Sequence, residues 1–188
     1  MGFLLSFSSA VREAERRLVR VFPEASIEVH GGLDSRLLGV VQAMDQAKFR
    51  EALRYTAEEI AGHAAMAGFV LILARDHGEP LGMAYGYDHQ EGGFFLDDLA
   101  SMMEGRGVGR LLAALIVVYA HERGHGSVTL FTEEEDEKGR HLRRFYERMG
   151  FRYMRTTPGE GDVMVLDLEP GTAEALVARY IVEGKGIP

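Results

Sequence analysis

The 188-residue sequence contains no cysteine. That excludes a disulfide framework, a thiolate nucleophile and a cysteine-based zinc site, and it suits a reducing compartment such as the cytoplasm. Positive charge is scarce too. Lys and Arg number 21 against 29 Asp and Glu, a formal net charge of −8. Nucleic-acid binding rests on clustered Lys and Arg that neutralise phosphates, so no nucleic-acid partner is expected. The same acidity suits a cationic partner such as an amine, although net charge chiefly governs solubility. Long apolar runs are missing as well. The longest, Leu111 to Ala120, is far too short for a bilayer span, so no membrane partner is expected. The start, Met1-Gly-Phe-Leu-Leu-Ser-Phe7, has a short apolar stretch and no basic flank, unlike a secretory signal. There is no internal repeat, low-complexity tract or clear linker. With 46% hydrophobic residues, the chain reads as one domain over 1–188 with a full core.

What is present is a regular alternation of elements. A helix is expected over 8–22, capped at Ser8 or Ser9, then a short strand at 26–30. Residues 33–67 read as two or three helical pieces, with Asp34 or Thr56 as caps and Thr56-x-x-Glu59 as a displaced capping box. The unbroken apolar run 69–75 predicts a buried strand, and 81–87 and 94–101 predict two more, separated by turns. A helix over 108–123, a strand at 128–131, a helix over 138–149, strands at 151–154 and 162–168 and a last helix capped by Thr172 follow. Glu133 to Glu137 is expected to be a solvated loop or the first turn of a helix, with a cation-binding patch as the functional alternative. This order implies an α/β (α+β) fold, a mixed sheet flanked by helices. The two end helices are expected to cap that sheet or to form a homodimer contact. Tyr85, Tyr87, Phe94 and Phe95 are core positions or the wall of an acceptor pocket. His121 and His125 suit a helix end, and no metal site is expected.

The most informative stretch is Glu104-Gly105-Arg106-Gly107-Val108-Gly109-Arg110, directly before an apolar helix. Glycine lets a backbone approach a ligand closely, and a helix N-terminus offers free N–H groups and a positive dipole end. The pair is a phosphate cradle. It is not a dinucleotide fingerprint, because Arg110 stands where the third glycine belongs, and it lacks the Gly-Lys-Ser/Thr of a nucleotide loop. A plain glycine turn that starts a helix remains the alternative from this stretch alone.

A second segment, Arg144-Phe145-Tyr146-Glu147-Arg148-Met149-Gly150-Phe151, alters that balance. With Gly107, Gly109 and Arg110-Leu-Leu before it, the chain resembles the GNAT superfamily of acyl-CoA-dependent N-acyltransferases, best over 69–168. Either motif alone is weak, but both in order with strand-helix-strand-helix-strand between them are specific. The resemblance implies a mostly antiparallel GNAT-like sheet and acetyl-CoA as co-substrate. It implies that the backbone of Gly105, Arg106, Gly107, Val108, Gly109 and Arg110 holds the pyrophosphate. It also implies an amine acceptor and a non-catalytic acyl-CoA-binding protein as the rival.

Two positions depart from the family pattern. Glu104 stands where Arg or Gln is usual, so only its backbone N–H is expected to help hold the cofactor, with charge from Arg106 or Arg110. Gly139 stands where an Asn often contacts the cofactor. Three chemical roles follow from the resemblance. Tyr146 occupies the general-acid position for the departing thiolate. Asp97 or Asp98 is the candidate base, pointing to opposite faces by strand alternation. A backbone N–H from Leu99, with Ala100 and Ser101 adjacent, polarises the thioester carbonyl beside a bulge. Arg143 and Arg144 are candidates for the adenosine 3′-phosphate. Substrate identity is left to the helices before residue 69 and the 88–93 loop.

Overall fold

The computed structural model describes residues 6–136 and 138–184. Met1 to Leu5, most of the start weighed as a signal, and Glu137, the end of the acidic run, lie outside them. The strands are β1 (Ser26–His30), β2 (Val70–Asp76), β3 (Glu79–Asp88), β4 (Phe94–Ser101), β5 (Ser127–Thr132), β6 (Arg152–Thr157) and β7 (Gly161–Asp167). The helices are α1 (Phe7–Val19), α2 (Ser35–Lys48), α3 (Ala57–Ala64), α4 (Val108–Glu122), α5 (Leu142–Glu147) and α6 (Thr172–Leu176). From α6 the chain continues as a π-helical stretch, Val177–Val182. One seven-stranded sheet runs β1-β2-β3-β4-β5-β7-β6. Every neighbouring pair is antiparallel except β4 and β5, which run parallel on either side of the α4 crossover.

Helices cover both faces, which explains the unbroken apolar run of β2. Its Val70, Ile72 and Ala74 join the core around α4, while Leu71 and Leu73 join Val41 and Met44 of α2 and Ile60 of α3. α4 is the keystone of the larger core. Leu111 to Val118 all have zero exposure, so a segment apolar on every side is buried on every side. Each such Leu, Ile or Val contributes about 1.5–3 kcal/mol by leaving water. α1 and the C-terminal helical segment pack on α4 and so cap this face.

Local chemistry accounts for where the elements start and stop. α1 is capped by Ser6, not Ser8 or Ser9: the Ser6 hydroxyl accepts from the Ser9 N–H at 3.2 Å. It ends at Val19, and Phe22 folds back into the core. Asp34 caps α2, and Thr56 with Glu59 forms a regular capping box on α3 rather than a displaced one. α5 is shorter than the expected 138–149. The Asp136 carboxylate accepts from the backbone N–H groups of Lys138 and Arg140, both at 2.9 Å, and this local turn competes with helix formation. The last helix is capped by Gly171 at φ +91°, so Thr172 is its first residue rather than its cap.

Candidate active site

β4 and β5 are paired only at Phe94 with Val128 and Phe95 with Thr129. Beyond Phe95 they diverge, because β4 stays with β3 up to Ser101 while β5 follows β7 up to Thr132. The divergence opens a groove of about 910 Å³ that both sequence motifs border.

One end of the groove is built for anions. Gly105 and Gly107 have φ +73° and +76°, a left-handed conformation that side chains strain. Gly107 caps α4 without a side-chain acceptor, so the first-turn N–H groups carry no capping side chain. Gly105, Gly107, Gly109 and Arg110 line the groove; Arg106 and Val108 do not, and the Val108 side chain is wholly buried in the core. Glu104 is not an uncompensated carboxylate. It meets Lys48 Nζ at 3.1 Å, Lys138 Nζ at 3.3 Å and Arg140 Nη1 at 2.8 Å. Hydrogen bonds from these three cations draw its pKa down to about 2. Arg110 borders the groove as expected of a charge donor, and three further cations stand around the turn against Glu104 and Asp136, the latter also paired with Arg140. Gly139, at φ +70°, sits in the tight turn between two of them. Arg144 borders the groove, whereas Arg143 turns away to Asp162, 3.2 Å from its carboxylate.

The other end is acidic, and a β-bulge makes it so. Tyr85 pairs with Asp98 but the next residue, Gly86, pairs with Leu96, which leaves Asp97 as the extra residue on β4. Leu96 and Leu99 both pack against the α4 core, so alternation is broken between them. Asp97 and Asp98 consequently both line the groove, and the expectation that they face opposite ways fails. Asp97 accepts the Tyr55 hydroxyl at 2.9 Å and meets His63 Nδ1 at 2.7 Å. The His63 pKa rises, first through that hydrogen bond. Asp98 is 4% exposed; no side chain among the described residues hydrogen-bonds its carboxyl oxygens, and the backbone N–H of Leu99 is the donor that acts on it. Burial, then the charges of Asp45 and Asp97, push its pKa well above the ordinary carboxyl range. Asp45, on α2, is 1% exposed and also lines the groove.

Tyr146 borders the groove from α5, its ring edge-on to Phe145 at 4.9 Å and to Phe151 at 5.6 Å. Burial, then the charge of Asp98, raises its phenol pKa. Leu99, Ala100 and Ser101 line the same groove on β4. The structure thus brings together the glycine turn, the Leu99–Ser101 strand end, both aspartates and Tyr146. Of the four aromatics weighed as a pocket wall, Phe95 lines the groove, Phe94 packs under α4, and Tyr85 and Tyr87 pack beneath α2 and α3. The residues missed are Asp45, Lys48, Tyr55, His63, Lys138 and Arg140. Asp45 carried a signal: with Val41 and Met44 it falls on the buried stripe of α2, where a carboxylate is out of place.

A family model described as the Acetyltransferase (GNAT) family matches residues 39–151. No curated protein matches the chain. Solved structures do. The aminoglycoside 6′-N-acetyltransferase from Enterococcus faecium shares 16% identity at a TM-score of 0.62, over 76% of this chain and 98% of its own. The PaiA N-acetyltransferase from Thermoplasma acidophilum, in complex with coenzyme A, shares 15% at 0.59, over 76% and 99%. The ribosomal-protein-S18-alanine N-acetyltransferase from Escherichia coli shares 15% at 0.60, over 76% and 94%.

Proposed function

The chain belongs to the acetyltransferase (GNAT) family, and on that premise we propose that it transfers an acetyl group from acetyl-CoA to a primary amine. The observation that carries the reading is a convergence. One groove joins a glycine-led helix N-terminus ringed by cations to a buried carboxyl with no side-chain partner, beside Leu99 and Tyr146.

The anionic end of acetyl-CoA suits the first of these. The N–H groups opening α4 and the cations gathered by Glu104 would hold its phosphates, and the groove between β4 and β5 would take the arm that carries the thioester. Glycine at 107 lets that backbone come close.

Three groups divide the chemistry. An alkylammonium with a pKa of about 10.4 needs roughly 4.6 kcal/mol to become neutral at pH 7. Asp98 takes the ammonium proton, and a carboxylate whose pKa lies above the ordinary range is the better base for it. Asp97 is committed to Tyr55 and His63 and orients the bulge. The backbone N–H at Leu99 stabilises charge on the thioester oxygen while the new N–C bond forms. The C–S bond breaks, and Tyr146 gives its proton to the sulfur, regaining one from solvent.

The direct test is thiol release. Acetyl-CoA mixed with the protein and a panel of primary amines should yield free CoA in proportion to N-acetylated product. No free CoA above the background rate with any amine would overturn the assignment.

A further inference from the structure

The acidic end of the groove holds more carboxyl groups than a single reacting amine requires. Two of them are buried and unsatisfied. Asp98 has no side-chain partner for either oxygen, only the Leu99 backbone N–H acting on it, and Asp45 has no partner for Oδ1, while its Oδ2 accepts the Tyr55 N–H at 3.2 Å. Burial is the largest cause of the raised pKa of each. Both line the one groove, and Tyr55 links their surroundings, its N–H on Asp45 and its hydroxyl on Asp97, the neighbour of Asp98. Of the cations near them, His63 is engaged by Asp97, Lys48, one turn along α2 from Asp45, is paired with Glu104, and Arg54, whose charge reaches Asp45, donates to the Phe49 carbonyl at 2.6 Å. Arg50, also on the groove, is paired with Glu133. Buried carboxyls without partners are costly, and they persist where a ligand supplies the missing donors. Tyr55, Phe95 and Phe131 border the same space with aromatic surface, which suits a cation.

We infer that this end of the groove binds a second ammonium group, so that the acceptor is a short diamine with one nitrogen at Asp98 and the other at Asp45. The inference rests on the acetyl-transfer reading for the first nitrogen. The second nitrogen donates to Asp45 Oδ1 and is not acetylated in the same encounter. A monoamine of equal length leaves Asp45 unsatisfied, so it loses the contact without losing the chemistry.

The test compares 1,3-diaminopropane and 1,4-diaminobutane with 1-aminobutane. Calorimetry in the presence of CoA reads binding alone, and thiol release from acetyl-CoA reads turnover. The diamines should bind about tenfold or more tightly than the monoamine. The Asp45→Asn variant keeps the acceptor for the Tyr55 N–H, and in it the ratio should fall toward one. A melting curve confirms that this variant is folded, and the comparison of amines on the unaltered protein needs no variant. Equal binding of diamine and monoamine overturns the second-cation pocket, whatever the turnover. Preferential diamine binding without thiol release supports the pocket while overturning acetyl transfer.

Discussion

At the scale of single residues, Asp98 and Tyr146 carry opposite demands. Asp98 is an acid raised by burial, then by Asp45 and Asp97. Such a group adds to stability while it is protonated, and that contribution is lost as pH rises through its folded-state value, above the ordinary carboxyl range. Asp98→Asn cannot ionise. Its melting temperature relative to the parent should therefore be higher at pH 8 than at pH 4, while acetyl transfer falls by about 10²-fold or more. An equal offset at both pH values would show that Asp98 is not ionising at a cost. Tyr146→Phe keeps the ring packed against Phe145 and Phe151 and removes only the hydroxyl. Turnover should fall by about 10²-fold with CoA affinity unchanged. An unchanged rate would remove Tyr146 from the proton path. Tyr146 was legible in the sequence because its neighbours form a motif. Asp98 was legible as a residue but not in its orientation. The orientation depends on one extra residue in β4, and a bulge leaves no mark in strand composition.

Among the elements, the α4 N-terminus is where sequence and structure agree most closely. Gly107 at φ +76° caps the helix, and the proposed function puts a phosphate against its backbone. Gly107→Val adds a branched side chain to a left-handed residue at the groove wall, which strains the cap and blocks the approach. CoA binding by calorimetry should fall below detection, while far-ultraviolet circular dichroism stays close to that of the parent, because α4 remains anchored by its buried run. Affinity equal to the parent would place the phosphates elsewhere. The order of strands and the buried character of β2 and α4 were also legible, since period and apolar run length report burial directly. The α5 start was not. The side chain of Asp136 closes a local turn, and helical periodicity from Leu142 onward says nothing about a competitor upstream. Nor was the Tyr55, His63 and Asp97 group legible. It joins the loop before α3, α3 itself and β4, over 42 residues, and only the packing of α3 on the sheet assembles it.

Across the whole molecule, charge is separated rather than merely negative. The net charge is −8, yet the glycine turn gathers Lys48, Lys138 and Arg140 around Glu104, with Asp136 also on Arg140, while the β4 bulge gathers Asp97 and Asp98, with Asp45 one helical turn from Lys48. The proposed polyanion and cation would thus meet different parts of one groove. Salt should affect the two ends unequally. Lys138 and Arg140 have side chains 68% and 48% exposed, so their attraction for phosphate is open to screening, whose length falls from about 10 Å at 0.1 M to about 3 Å at 1 M. Asp45 and Asp98 are closed to solvent and should respond less. Binding that favours the native state adds RT ln(1 + [L]/Kd), about 2.7 kcal/mol at a hundredfold excess over Kd. For a chain of this size that is a rise of roughly 5–11 °C in melting temperature. CoA should give a shift of that order in 0.1 M salt, and the same CoA concentration should give a much smaller one in 1 M salt. Desphospho-CoA, which lacks the 3′-phosphate, should lose less of its shift to salt. A CoA shift independent of salt would mean that the backbone cradle, and not the cations around Glu104, holds the phosphates.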